Sequence, residues 1–291
     1  MRELFQTADL FSGLLPPFPD TVRTVARWHF ADVAHIPMQQ SQPRGAWSSS
    51  AWSTYDPDFY GTPDMASAIR LAREGWIDGA EAAARVHETL KPVIPQRRKL
   101  TRYQPAGMVP NVARCVAGNP AHMRIVRTEE TSQRPVITLV CGIGAWANVE
   151  SEAMIAHATA AAGVVDYLES SGYQTEVIAL SRAEADAKCI EVATRVKGPG
   201  ESLNLSVLAF CLGHPAMLRR HVFALRSMTP DMGSSFSSMG RSVSIPTMPD
   251  SDTFRIVNPC DYSSDMGVIE RFNSMVASLR SQGCPGMPET D

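Results

Sequence analysis

Four groups of residues in this sequence have the types and spacing to do chemistry. The first is Gly142-Ile-Gly144-Ala-Trp-Ala147, which follows the apolar β-branched run Val136–Cys141. It fits the letter of the G-x-G-x-x-G/A turn that cradles a dinucleotide pyrophosphate. Two details oppose a cofactor there. Asn148, Ser151 and Glu152 signal a helix start well after the second glycine, whereas a phosphate-binding helix opens at it. The ribose-binding acid belongs about 20 residues on, at the end of the next strand. Here that strand ends near Leu180 and runs into Ser181 and Arg182. Trp146 also adds bulk where a cofactor needs close approach, so no cofactor is expected.

The second group, Cys211 with His214 and His221, has the types of a thiolate nucleophile and its base. An apolar helical run explains Cys211 as a packing residue instead. The third group is Asp56, Asp58 and Asp64, which would have to converge with Asp250, Asp252, Asp261 and Asp265 to hold the metal of a nuclease. In a turn-rich loop, aspartate ordinarily caps local structure. No Gly-x-Ser-x-Gly elbow, Walker A loop or HExxH helix occurs. No catalytic residue and no metal ligand is assigned.

The fourth group binds rather than reacts. Between Lys91 and Arg134 there are nine lysines and arginines against Glu129 and Glu130 alone, in a chain whose net charge is −3. Arg97, Arg98 and Lys99, then Arg102 with Tyr103, and later Arg114, suit contacts to a phosphate backbone. The same charges also suit a solvated connector or pairing with acidic residues elsewhere in the chain. Upstream, Trp47, Trp52, Tyr55, Phe59 and Tyr60 stand among serines and turn formers. Such aromatics either stack on bases or anchor their loop by burial. The candidate binding residues are therefore Trp47, Trp52, Tyr55, Tyr60, Arg97, Arg98, Lys99, Arg102 and Arg114.

These groups need elements to position them. Residues 21–35 carry apolar positions at helical spacing, and helices are expected at 64–75 and 79–90. Within the basic stretch, prolines and glycines imply extended or turning backbone, with short helical pieces at 111–116 and 120–126. Val136–Cys141 reads as a buried strand and 150–171 as a helix through Met154, Ala158, Ala161, Val165 and Leu168. Tyr173–Leu180 is then a second strand, parallel to the first because a helix intervenes. The run 189–197 alternates charge with apolar residues and reads as an edge strand. Helix is expected over 203–226, broken at Gly213 and Pro215, with a last strand at 254–257 and a closing helix at 262–282.

The order strand, loop, long helix, strand, edge strand, helix, strand, helix resembles a von Willebrand factor A-like domain. That fold binds a divalent cation through an Asp-x-Ser-x-Ser loop, and the matching positions Cys141-Gly-Ile-Gly-Ala145 offer no side-chain oxygen. The resemblance thus implies the fold without its metal site. Distinctive stretches also run through the whole chain. They are Trp52 with Tyr60-Gly-Thr62, Ala68-Ile-Arg-Leu-Ala-Arg-Glu-Gly-Trp76, Val109-Pro-Asn-Val-Ala-Arg114 with Ala117-Gly-Asn-Pro120 and Met123, and His214-Pro-Ala-Met-Leu-Arg-Arg220. Over about 45–280 the chain resembles an uncharacterised family carried by bacteriophages and prophages, which implies a mobile-element origin and no mechanism.

The expected organisation is a helical, aromatic-rich region at 1–90, a basic connector at 91–134, an α/β domain at 135–282 with a small mainly parallel sheet flanked by helices, and a tail from 283. With 44% hydrophobic residues in 291 there is ample core. Six cysteines without a CxxC pair read as reduced thiols of a cytoplasmic protein. Neither a signal peptide nor a membrane span is expected. The function expected is non-enzymatic binding of a macromolecular partner, a protein, with nucleic-acid binding or a metal-dependent nuclease as the alternative.

Overall fold

The β-branched run becomes strand β5 (Val136–Gly142), set inside a six-stranded sheet. The computed structural model describes residues 22–34, 56–88, 99–128, 135–185, 188–228, 241–245 and 252–287. The chain divides into two compact units, one of residues 1–93 with 136–291 and one of Ile94–Pro135. In the first, β5 has parallel neighbours on both sides, β6 (Gln174–Ala185) and β9 (Thr253–Ile256). Strand β7 (Lys188–Lys197) runs antiparallel to β6, and β1 (Val22–His29) lies parallel to β7 beyond it. The two-residue β8 (Arg241–Ser242) pairs with the end of β6. The chain is mixed α/β with a mostly parallel sheet.

Side chains alternate across a strand, and here the alternation sorts two cores. Ile137, Leu139 and Cys141 of β5, with Val177, Ala179 and Val192, join the core that the helices build. Val140, Ile178, Leu180 and Ala193 point the other way and close on Ile245. The helical layer centres on α6 (Ser151–Ser170), alanine-rich and buried along most of its length. Small side chains let its neighbours come close. A β-carbon on Gly213 would lie 3.0 Å from Met154 O, so α7 (Leu205–Gly213) can sit directly on α6. Helices α3 (Met65–Glu74), α4 (Ile77–Glu88) and α9 (Val268–Ser281) complete this layer.

Three expectations are corrected. Residues 21–35 are not one helix: Val22–His29 is strand β1, followed only by the single turn α1 (Phe30–Val33). Val22, Thr24 and Val25 are β-branched, and the open side of β7 offers a full ladder of backbone partners, a tertiary gain that helical spacing does not reveal. For the same reason β7 is no edge strand. Its Glu191 is buried against Arg182 of β6 at 2.8 Å, and Lys197 is buried with Nζ 2.8 Å from Glu169 Oε1. Charge alternation here marks internal ion pairs rather than a solvated face. Residues 123–128 are strand where a helical piece was expected. None of the described helices is long and apolar enough to cross a membrane.

Candidate functional site

The unit Ile94–Pro135 holds the basic stretch, and it folds as a three-stranded antiparallel sheet. Strand β2 (Lys99–Gln104) pairs with β4 (Met123–Thr128), whose other side takes the short β3 (Val109–Pro110). Gly107 lies between β2 and β3 where a side chain would be crowded. A β-carbon there would lie 3.0 Å from Arg124 O, Ile125 Cγ1 and Met123 Cβ. After β3, Asn111 caps α5 (Val112–Val116), its Oδ1 accepting from Arg114 N–H at 3.1 Å while its Nδ2 donates to Tyr103 OH at 3.3 Å. Arg114 donates through Nη1 to Ala121 O at 3.2 Å and lays its guanidinium 4.1 Å over the Tyr103 ring. The structure thus gives Arg114 an internal task, tying α5 to β2. Lys99 and Arg102 occupy β2 opposite Thr128 and Ile125. Arg97 and Arg98 lie outside the described residues.

Among the residues this unit exposes are four large apolar side chains. Met108 is 84% exposed, Val116 83%, Val112 70% and Val109 45%. Val112 and Val116 stand one turn apart on the same side of α5. Eight large apolar side chains are exposed among the described residues, and half of them fall within these nine positions. Scattered singles are ordinary, whereas a group of this kind on a small, basic unit is a candidate contact surface. Sequence reasoning weighed the charges of the stretch and missed the valines. Their i, i+4 spacing within a segment too short to bury them was the available signal.

Of the aromatic loop, Trp47, Trp52 and Tyr55 lie outside the described residues. Tyr60 ends the short helix α2 (Pro57–Tyr60), and its ring is buried with the Arg220 guanidinium 4.4 Å above it. It anchors the loop. Arg220 also donates from Nε to Thr62 Oγ1 at 2.7 Å and from Nη2 to Thr62 O at 2.6 Å. Its neighbour Arg219 donates to Phe59 O at 2.6 Å and to Val149 O, with its guanidinium 3.9 Å over the Phe59 ring. Burial pulls Arg219 down to about 10, which leaves it cationic at neutral pH. Both arginines sit on a π-helical segment, Met217–Val222, just after the break at Pro215. Sequence reasoning missed this double latch, although adjacent arginines in an apolar run had to find acceptors somewhere.

Of the remaining candidates, Asp250 lies outside the described residues, and several others have structural tasks. Asp56 caps α2 through Phe59 N–H at 3.0 Å, and Asp64 caps α3 through Ser67 N–H at 2.6 Å. Asp261 accepts from Asn258 N–H at 3.0 Å. Among the described residues no three His, Cys, Asp or Glu side chains gather where a metal ion could sit. The Cys211 thiol is fully buried, and burial pushes it well above its usual range, away from the thiolate that nucleophilic attack requires. His214 stacks on Phe210 at 5.4 Å and accepts Ala216 N–H on Nδ1 at 3.2 Å, while His221 meets Phe210 edge-on at 5.7 Å.

At the glycine turn, neighbouring protein atoms approach the backbone closely. Asn258 Oδ1 accepts Gly144 N–H at 3.1 Å, and His157 Nε2 lies 3.2 Å from Gly142 O. A β-carbon on Gly142 would fall 2.5 Å from Asn258 Oδ1, and one on Gly144 would run into Ser242 Oγ. These glycines admit the 242–245 and 258 segments. Gly142→Ala is expected to lower stability by about 1–3 kcal/mol, the usual cost of overpacking, read as a shift in the urea midpoint at unchanged slope.

Compared with known proteins, residues 16–266 match a family model described as Domain of unknown function (DUF7192). No curated protein and no solved structure matches the chain.

Proposed function

We propose that this chain, which belongs to the DUF7192 family, is a non-enzymatic accessory protein of a phage or prophage that binds a partner protein through its Ile94–Pro135 unit. One observation carries the reading: the exposed group Met108, Val109, Val112 and Val116 on a unit of net positive charge. An apolar centre beside charge is the usual composition of a protein-binding surface, with the charges adding steering and selectivity. The fate of the chemical candidates agrees with a binding role, since Cys211, Asp56, Asp64 and the glycine turn all serve packing or capping. The succession β5, α6, β6, β7, α7, β9, α9 supports a degenerate von Willebrand factor A-like reading of the larger unit. A cytoplasmic location in the host is part of the same proposal.

The basic residues keep nucleic acid as the second reading. Gel-shift titrations with single- and double-stranded DNA and RNA across a salt series separate the two. The protein-binding reading expects no discrete complex at low salt. A complex whose affinity falls with salt, with a smaller slope in the Arg97→Ala/Arg98→Ala/Lys99→Ala variant, would establish the nucleic-acid reading instead.

A further inference from the structure

A cavity of about 490 Å³ opens in the larger unit where β1 and β7 end and the chain turns into α1 and α7. Sheets with parallel strands place ligands in the crevice outside the strands' carboxyl ends, and β1 and β7 are parallel neighbours. Its apolar wall includes Phe30, Ala34 and Val207, and three charged side chains line it, Arg73, Arg195 and Glu201. Both guanidiniums are fixed from behind. Arg73 Nε donates to Ala34 O at 3.0 Å, and Arg195 Nε pairs with Glu176 Oε1 at 3.1 Å. Among the described residues the terminal nitrogens of these two arginines have no acceptor. Glu201 is occupied differently, its Oε2 accepting Gly198 N–H at 2.6 Å and holding the turn after β7.

We infer that this cavity binds a small organic monoanion, its charged end on Arg73 and Arg195 and its apolar body against Phe30, Ala34 and Val207. The volume falls within the range of small-molecule sites, about 300–1,000 Å³, and the lining has their composition, mostly apolar with a few polar groups. With Glu201 in the lining and Glu176 behind Arg195 the charges balance, so an anion is selected by the open terminal nitrogens of the two guanidiniums and not by net charge. A guanidinium held at Nε presents its terminal nitrogens as a two-pronged donor, the geometry that carboxylate, sulfonate and phosphate ends accept. Every lining residue belongs to the larger unit, whereas Met108–Val116 belongs to the smaller one.

The test is a fluorescence titration of the whole protein with 1-anilinonaphthalene-8-sulfonate, a monoanion on an apolar ring system. Its uncharged relative N-phenyl-1-naphthylamine is run beside it. Saturable one-to-one binding of the sulfonate is expected, with much weaker binding of the neutral amine. Arg73→Gln and Arg195→Gln should each raise the sulfonate Kd about tenfold or more, as the loss of a charged hydrogen bond implies. Val207→Phe should abolish binding by filling the cavity. Arg73 is exposed at the end of α3, so its variant remains informative if Arg195→Gln perturbs the fold. Equal Kd values for wild type and Arg73→Gln would overturn the inference. So would equally tight binding of the neutral amine, or loss of the saturable component in Met108→Asp.

Discussion

Acidification from pH 7 to 4.5 is expected to unfold this protein cooperatively, well before carboxylate protonation is complete. Three imidazoles are buried among the described residues and held neutral. Burial, aided by the Arg271 charge, takes His157 down to about 3. Burial also takes His214 and His221 to about 4, with the proximity of His221 adding to the effect on His214. In the unfolded chain each titrates near 6.5. Their folded values lie below the unfolded one, so the unfolded state takes up protons first as pH falls. Stability is complete above pH 6.5 and is lost progressively down to the folded values. At pH 4.5 each ring is about two pH units below its unfolded value, roughly 2–3 kcal/mol apiece and together comparable with the 5–15 kcal/mol that stabilises a typical domain. Circular dichroism against pH should therefore show a transition between about pH 6 and 4. His221→Gln should move it to lower pH. A melting temperature constant from pH 7.5 to 4.5 would contradict the burial of these rings.

Glu191→Ala is expected to have the largest effect of any single substitution in the sheet, about 3–5 kcal/mol. Arg182 and Glu191 face each other across β6 and β7 at 2.8 Å, both essentially without solvent, and Arg182 also donates to Ser244 O at 2.9 Å. Removing the carboxylate leaves a guanidinium in a low-dielectric interior, and that exposed penalty, rather than the value of the pair, sets the cost. The double variant Arg182→Met/Glu191→Leu should accordingly recover most of the loss, less the contact to Ser244. Urea titrations of the single and double variants make the comparison. A double variant as unstable as the single one would mean that the pair's own attraction holds β6 to β7.

The same ion pair shows what was legible in the sequence. The strand at 136–142, the long alanine-rich helix and the parallel strand after it could be read from local pattern, because each element is buried on its own periodicity. Strand β1 could not, since its ladder depends on β7, more than 150 residues away. The status of β7 was hidden for a related reason: Glu191 and Lys197 look like solvent-facing charges until Arg182 and Glu169 are placed opposite them. The glycine turn was legible as structural, and Asn258 and Ser242 supply the cause. Within the candidate surface the charges were visible, but the use of Arg114 and the exposure of Met108, Val112 and Val116 followed only from the three-stranded sheet. Tyr60 was ambiguous between stacking and anchoring until Arg220 was found above it.

The most direct measurement of the proposed role is affinity capture from induced or infected cells with the full chain as bait, after exhaustive nuclease treatment. A Met108→Asp/Val112→Asp/Val116→Asp variant is run in parallel. These side chains are exposed, so the variant should keep the wild-type melting temperature. The account predicts a partner protein recovered in stoichiometric amount by the wild type, resistant to nuclease and absent from the variant. Recovery that nuclease abolishes, or that the triple variant leaves unchanged, would contradict it.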